Sequence, residues 1–236
     1  MEAIYKRVLI KISGEALAGE KKTGYDFDLI TSVCQVLRRA SEQGTQIAIV
    51  IGGGNFWRGV KDGAGKIERV NADRMGMLAT CMNCIAVCDV LRQLGAKARV
   101  MTAVDIMGVG ERYDTRRAIE YLENGEIVLF AGGSGAPFFS TDTAAALRAA
   151  EIHADAILLA KNIDGVYSDD PRKNPEAVKF DRISYAEMLA RRLAVMDTAA
   201  TALAMENDLP VAVFALKDPE NILRVLAGEN VGTIVE

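Results

Sequence analysis

At 236 residues, half of them apolar and a quarter charged, the chain suits one sizeable α/β unit with a large core. A formal net charge of −4 speaks against a nucleic-acid binder, which would be basic, and no apolar run approaches the ~18–20 residues of a membrane span. The opening Met-Glu-Ala-Ile-Tyr-Lys-Arg enters a strand pattern at once, without the pattern of a cleavable signal, so a cytoplasmic protein is expected.

Val8–Ile12 reads as a strand carrying Lys11, followed by a turn at Ser13-Gly14-Glu15 and a polar loop over 19–25. Asp26 stands where it would cap a helix running to about Gln43, with Gly44 to stop it. Residues 47–51, Ile-Ala-Ile-Val-Ile, read as a strand buried on both faces. That strand runs straight into Gly52-Gly53-Gly54, where no Cβ shields the main chain, and Arg58 follows. Residues 61–68 are polar and glycine-rich, a candidate lid. A helix is predicted over Met75–Leu94. Its Cys81, Cys84 and Cys88 fall at i, i+3 and i+7, one stripe, and read as core or subunit interface. A structural zinc site would want a fourth ligand and a knuckle, and neither is visible.

Ala98–Val104 reads as a third strand, Thr115–Glu123 as a helix closed by Asn124-Gly125, and Ile127–Ala131 as a buried strand ending in Gly132-Gly133-Ser134-Gly135. A helix begins near Thr141 and runs to about Ile152, and a strand at Ala156–Ala160 leads into Lys161-Asn162-Ile163-Asp164-Gly165-Val166-Tyr167. Residues 168–182, with Pro171 and Pro175 among mixed charges, read as an excursion from the core. Helices at about Tyr185–Arg192, Met196–Asn207 and Pro219–Leu226 and strands at Val211–Ala215 and Thr233–Val235 complete the chain. This alternation predicts the α/β class: a three-layer αβα sandwich with a central, mostly parallel β-sheet, a single domain over 1–236. Ligands are then expected outside the carboxyl ends of the strands.

Three strands end in small or glycine-rich loops, at Ser13-Gly14, Gly52–Gly54 and Gly132–Gly135, with Lys11 and Arg58 beside them. Main-chain N–H groups and two cations on one sheet edge suit a polyphosphate. Gly63-Ala64-Gly65-Lys66-Ile67 lacks the earlier glycine and the Ser/Thr of a P-loop, and Trp57 stands where a dinucleotide fingerprint has its third glycine. Phosphoryl transfer needs cations on the moving group, donors along the phosphates and alignment of both substrates, and these loops supply the first two. Asp142, just inside its helix, could fix a lysine or orient a metal-bound phosphate. Taken alone, it is more readily a helix-start carboxylate favoured by the dipole.

The segments Tyr5–Glu15, Gly52-Gly53-Gly54-Asn55-Phe56-Trp57-Arg58-Gly59, Asp73-Arg74-Met75-Gly76-Met77, Pro137–Ala145, Asp164–Pro171, Val195-Met196-Asp197 and Gly232–Val235 together resemble the bacterial UMP kinases. That family belongs to the amino acid kinase superfamily, distinct from P-loop UMP/CMP kinases, and the resemblance covers essentially the whole chain in order. It implies ATP + UMP → ADP + UDP, with Mg2+ held through the ATP phosphates and no protein metal ligand. It also implies an acceptor-binding part over about 1–150 and an ATP-binding part over about 151–236. By position, Lys11, Ile12, Ser13 and Gly14 would contact the ATP phosphates, Lys11 neutralising the transferred group. Gly53 and Gly54 would line the junction of the substrates, and Arg58 would bridge their phosphates. Asp73 would hold the UMP ribose or its neighbours, and Ser134, Gly135, Ala136, Pro137, Phe138, Phe139, Ser140 and Thr141 would wrap uracil and its phosphate. Asp142 would position Lys11 or the magnesium-bound phosphate. Lys161, Asn162, Tyr167 and Asp170 resemble the adenosine-binding segment, and Asp197 falls in the family's Val-Met-Asp motif near the active site.

The resemblance further implies a homohexamer, a trimer of dimers, for which the Cys81, Cys84 and Cys88 stripe is the candidate dimer contact. GTP is implied as a candidate activator and UTP as a candidate inhibitor; residues 19–24 stand at the GTP effector region of some relatives, and their sequence, Gly-Glu-Lys-Lys-Thr-Gly, does not establish that response. Ala136 departs from the asparagine usual before Pro-Phe-Phe, which removes one or two hydrogen bonds near the base or phosphate. Competing readings are a superfamily kinase for carbamate, glutamate, aspartate or isopentenyl phosphate, and a nucleotide or oxyanion storage protein of the same fold. The Asp73 segment and Pro-Phe-Phe-Ser-Thr-Asp favour a nucleotide acceptor, and Lys11, Arg58 and Asp142 favour catalysis over storage.

Overall fold

Alternation along the first strand, β1 (Arg7–Ile12), sets the architecture: Val8, Ile10 and Ile12 face one layer of helices, Leu9 faces the other, and all four are fully buried. The computed structural model describes residues 3–21, 23–58, 62–63, 65–193 and 195–236. The candidate lid at 61–68 and the effector segment 19–24 therefore lie partly outside the described residues. Parallel to β1 run β2 (Gln46–Ile51) on one side and β6 (Ala156–Lys161) on the other. Beyond β2 come β5 (Ile127–Ala131), β3 (Ala98–Thr102) and β4 (Glu111–Arg112). Beyond β6 come β10 (Val211–Ala215), β11 (Thr233–Val235) and β9 (Arg182–Ile183), so nine strands among the described residues share one sheet. All neighbours are parallel except β10 with β11.

One helical layer holds α2 (Phe27–Glu42), α3 (Arg69–Gln93) and α8 (Asn221–Leu226), whose Leu37, Cys84, Leu91 and Ile222 close on Val8, Ile10 and Ile12. The other holds α4 (Thr115–Glu123), α5 (Thr141–Glu151) and α7 (Thr198–Glu206), whose Leu122, Ala149 and Ala200 close on Leu9, Val50 and Phe130. This is the expected three-layer sandwich. Each fully buried Leu or Ile is worth roughly 1.5–3 kcal/mol, so the sheet is a firm platform for the loops at its edge. The helix ends follow local chemistry: Asp26 accepts from the Leu29 amide (3.2 Å), Asp114 from the Arg117 amide (3.0 Å), and Gly44 takes φ +95° after α2.

Several elements depart from the pattern read in the sequence. Residues after Ser13 form a helical turn, α1 (Gly14–Leu17), not a plain turn, because Ala16 and Leu17 are buried and tertiary packing supports an otherwise marginal helix. Helix α3 begins at Arg69, six residues ahead of Met75, since the polar stretch 69–74 carries no apolar period. The excursion at 168–182 contains an antiparallel pair, β7 (Val166–Tyr167) with β8 (Lys179–Phe180), and α6 (Tyr185–Ala190) ends two residues before Arg192.

The Cys81, Cys84 and Cys88 stripe takes the core alternative. All three side chains are buried in the chain's own core, and burial pushes their thiols up, Cys84 well above the usual thiol range. The apolar residues that α3 leaves exposed are Met75, Leu78, Met82 and Ile85, on the flank of the helix next to that stripe. By length and composition alone α3 would cross a membrane, with 25 residues and a mean hydropathy of 1.4 in its best window. Its packing against α2, β3 and β5 instead makes it a core helix.

Candidate active site

The carboxyl ends of β1, β2, β5 and β6 lie side by side, so the loops that follow them are neighbours. Lys11, only 6% exposed near the end of β1, places Nζ 2.6 Å from Asp142 Oδ1 in the first turn of α5. Lys161, the last residue of β6, places its Nζ 3.3 Å from Asp142 Oδ2 and also donates to the Val195 carbonyl. Burial pushes the Asp142 carboxyl up, but the two ammonium groups outweigh it and hold the carboxyl below its usual range. Burial pulls the Lys161 ammonium down; Asp142 opposes that and Lys11 adds to it, leaving the lysine below its usual range. Two ammonium groups share the one carboxylate they pair with, and Asp197 adds only a weaker opposing charge on Lys161, in a mostly buried cluster. Such a site is completed by an anion.

The loops around this cluster are pressed together. A Cβ on Gly14 would stand 2.2 Å from the Gly52 carbonyl oxygen, and one on Gly53 would stand 2.9 Å from the Gly76 carbonyl oxygen in α3. Glycine is therefore required at both positions by contact. Arg58 pairs with Glu15 at 2.6 Å, and its own N–H donates to the Asp62 carboxylate at 2.8 Å. Both members of the Arg58–Glu15 pair are about two-fifths exposed, so the pair is worth at most about 1 kcal/mol and is easily exchanged for a phosphate.

Between α3 and the loop after β5 lies a cavity of about 260 Å3, lined by Gly53, Arg58, Asp73, Thr80, Ser134, Ala136, Phe139, Ser140 and Thr141 among others. Asp73 is held by Arg69 (2.8 Å) and accepts from the Phe138 N–H (2.8 Å). That bond stabilises Phe138 at φ +72°, a strained value for a residue other than glycine. Phe138 is itself exposed and lies under the Arg69 guanidinium rather than in the cavity wall. The Ser134 hydroxyl is engaged by the main chain of Ala136, and the Ser140 hydroxyl caps α5, accepting from the Asp142 (2.9 Å) and Thr143 (3.3 Å) amides.

Asp197 sits beside this centre in a supporting position. It caps α7 through the Ala200 amide (2.8 Å) and accepts from the Thr143 (3.0 Å) and Ser140 hydroxyls, which ties α7 to α5. Among the described residues no ion pair joins it to Lys11 or Lys161. The adenosine segment divides. Lys161 joins the Asp142 cluster, and Asn162 lines a separate cavity of about 510 Å3 with Leu216 and Lys217. Tyr167 lies on the β7–β8 arm, its hydroxyl donating to Asp164 (2.8 Å), and Asp170 pairs with Arg172 (3.0 Å) in the turn that follows. Sequence reading missed Lys161 as a second cation on Asp142 and Glu15 as the resting partner of Arg58, because both contacts join residues far apart in the chain.

The amino acid kinase family model matches residues 6–215. A Streptococcus thermophilus protein named uridylate kinase is 52% identical over 235 residues, covering 99% of this chain and 96% of that protein. Among solved structures, the UMP kinase of Bacillus anthracis superposes with a TM-score of 0.94 at 38% identity, covering 98% of this chain and 96% of that one. The UMP kinase of Ureaplasma parvum gives a TM-score of 0.92 at 35% identity, covering 98% of both.

Proposed function

The chain belongs to the amino acid kinase family, and from that membership and the geometry of its site we propose that it is a UMP kinase, transferring the γ-phosphoryl group of ATP to UMP. The observation that carries this reading is the Lys11–Asp142–Lys161 cluster, two ammonium groups held by one carboxylate, beside a cavity lined by Asp73, Ser134, Ala136, Phe139, Ser140 and Thr141. An oxygen of the UMP phosphate, already ionised near neutral pH, attacks the γ-phosphorus. The bond to the β–γ bridging oxygen breaks, and ADP leaves. No general base is needed, so the protein's task is charge and alignment.

In this reading Lys11 follows the charge of the transferred group and Lys161 supports the ATP phosphates. Asp142 is a positioning residue that aims both ammonium groups. Ile12, Ser13, Gly14, Gly53 and Gly54 border the phosphates, and Arg58 leaves Glu15 to bridge donor and acceptor. Asp73, Ser134, Ala136, Phe139, Ser140 and Thr141 take UMP, and Asn162, Tyr167 and Asp170 take the adenosine side. Magnesium fits as a companion of ATP. Asp142 engages both its oxygens with lysines, and among the described residues no cluster of three His, Cys, Asp or Glu side chains forms a cage, so the phosphates would hold the ion. When bound it spreads charge over the β and γ groups. The enzyme is assigned to the cytoplasm, where its nucleotides are made and used.

Turnover with UMP, CMP, dTMP and carbamate, followed by coupled ADP release, tests the substrate. UMP should be fastest; a faster alternative acceptor would overturn the assignment.

The same reading includes a homohexamer, a trimer of dimers, with GTP and UTP as effectors. The dimer contact moves from the cysteines to Leu78, Met82 and Ile85, which are 52%, 48% and 44% exposed on one side of α3. A Leu78→Glu/Met82→Glu double variant is expected to sediment as a smaller species than the parent protein. An unchanged sedimentation coefficient would remove this face from the assembly.

A further inference from the structure

Asn83 in α3 and Asn55 after the glycine loop are 0% and 1% exposed, and the chemistry above uses neither. The Asn83 amide nitrogen donates to the Gly52 carbonyl (2.7 Å) and to Asn55 Oδ1 (2.7 Å). The Asn55 amide nitrogen donates to the Gly24 carbonyl (2.9 Å) and to Asn83 Oδ1 (3.1 Å). The two main-chain carbonyls fix which end of each amide is nitrogen, so the pair has a single arrangement. Buried amides that lose a partner keep their desolvation cost, so this arrangement is strongly enforced.

The pair lies beneath both phosphate loops. A Cβ on Gly14 would come within 2.7 Å of Asn55 Oδ1, and one on Gly53 would meet Ala79 Cβ of α3 at 3.0 Å. Helix α3 also holds the loop after β5: the Thr80 hydroxyl accepts from the Gly132 N–H (2.9 Å), and Asp73 accepts from the Phe138 N–H (2.8 Å). One helix thus holds main-chain groups of the loops on both sides of the cavity.

We propose that the Asn55–Asn83 pair positions the glycine loop for phosphoryl transfer, setting the Gly53 and Gly54 N–H groups and Arg58 in register with Lys11. This rests on the kinase reading above. Transfer geometry is demanding enough that a displacement of about 1 Å costs on the order of a hundredfold in rate. The Asn83→Ala change leaves the Gly52 carbonyl and Asn55 Oδ1 without their donor. Asn83→Asp can still accept from Asn55 but cannot donate to Gly52.

The test compares both variants with Val87→Ala, one turn further along α3, buried and remote from the loops. Hydrogen exchange should show faster exchange confined to residues 52–58 and the region of Gly24 in both Asn83 variants only. At saturating ATP and UMP, kcat should fall about 30- to 100-fold with smaller changes in KM, while Val87→Ala keeps kcat within threefold at a comparable loss of Tm. Unchanged exchange at 52–58, or kcat within threefold of the parent, would overturn the proposal. If the parent protein does not turn over UMP, the substrate reading fails separately and the exchange result still decides whether the pair holds the loop. Should Asn83→Ala not fold, Asn55→Ser, placed in the loop and not in the core helix, is read out in the same way.

Discussion

Lys11→Ala is expected to lower kcat by two to three orders of magnitude, with the KM for UMP changed only a few-fold. The reason is position. Lys11 is almost fully buried near the end of a central strand, and its ammonium is held by Asp142 at 2.6 Å, one residue from Thr141 in the cavity wall. A fixed cation in a site of low polarity stabilises charge on the transferring group far more than a mobile surface lysine could, and it needs no reorganisation when the reaction occurs. The fold should survive the change. Lys161 still pairs with Asp142, so the carboxylate is not orphaned, and β1 keeps its apolar contacts on both faces. Steady-state kinetics with a thermal melt of the same preparation check both halves. A kcat within tenfold of the parent would take Lys11 out of the mechanism.

Asp142→Asn should be the most costly single change at this site for both stability and rate. It leaves two ammonium groups facing one another without the carboxylate that pairs with both. Breaking a buried charge pair in this way typically costs about 3–5 kcal/mol. The rate should fall by at least about tenfold, because the lysines lose the group that aims them. The pH dependence has a definite sign. The Asp142 carboxyl is held below its usual range in the folded protein, so its stabilisation is fully present above the unfolded pKa of about 4 and is lost as pH falls through the folded value. The gap in Tm between parent and variant should therefore narrow as pH drops from about 5 to 3. At alkaline pH Lys161 acts in the other direction. Its folded pKa is lowered, so between that value and about 10.4 the unfolded chain binds more protons and stability rises with pH. Removing Asp142, which holds that pKa up, should make the alkaline recovery larger in the variant. Melts across the pH range measure this directly, and a gap independent of pH would contradict the charge assignment.

The parts that were legible in the sequence were those with strong local signals. β2 from Ile47 onward and all of β5 are apolar runs stopped by glycines, and Ile127–Ala131 is found at its expected bounds because a strand buried on both faces leaves little else to choose. Asp26 announced its helix by chemistry that acts within three residues. β4, β7, β8 and β9 are two-residue strands, too short to carry any period, and exist only through their partners. The cysteine stripe shows the limit of periodicity. The 3.6-residue repeat placed Cys81, Cys84 and Cys88 on one face, but the direction of that face depends on α2 and the sheet.

The site divides along the same line. Motif positions pointed to Lys11, Arg58, Asp73 and Asp142. For Asp142 alone, a helix-start carboxylate was the more ordinary reading, and only the β1–β6 pairing shows that it receives two lysines. That pairing also draws Lys161 from the adenosine segment to the phosphate cluster. Asp197 lies near the centre as its motif suggests, yet its hydrogen bonds go to the Ala200 amide and to the Ser140 and Thr143 hydroxyls. The Asn55–Asn83 pair joins residues 28 apart through buried amides and left no local mark in the sequence.

Transfer of label from ATP carrying radioactive phosphorus at its γ position to UMP, with the nucleotides separated afterwards, tests the assignment most directly. Labelled UDP should form in the presence of magnesium, with no comparable transfer to CMP. Label that remains in ATP, appears only as inorganic phosphate, or passes faster to another acceptor would contradict it.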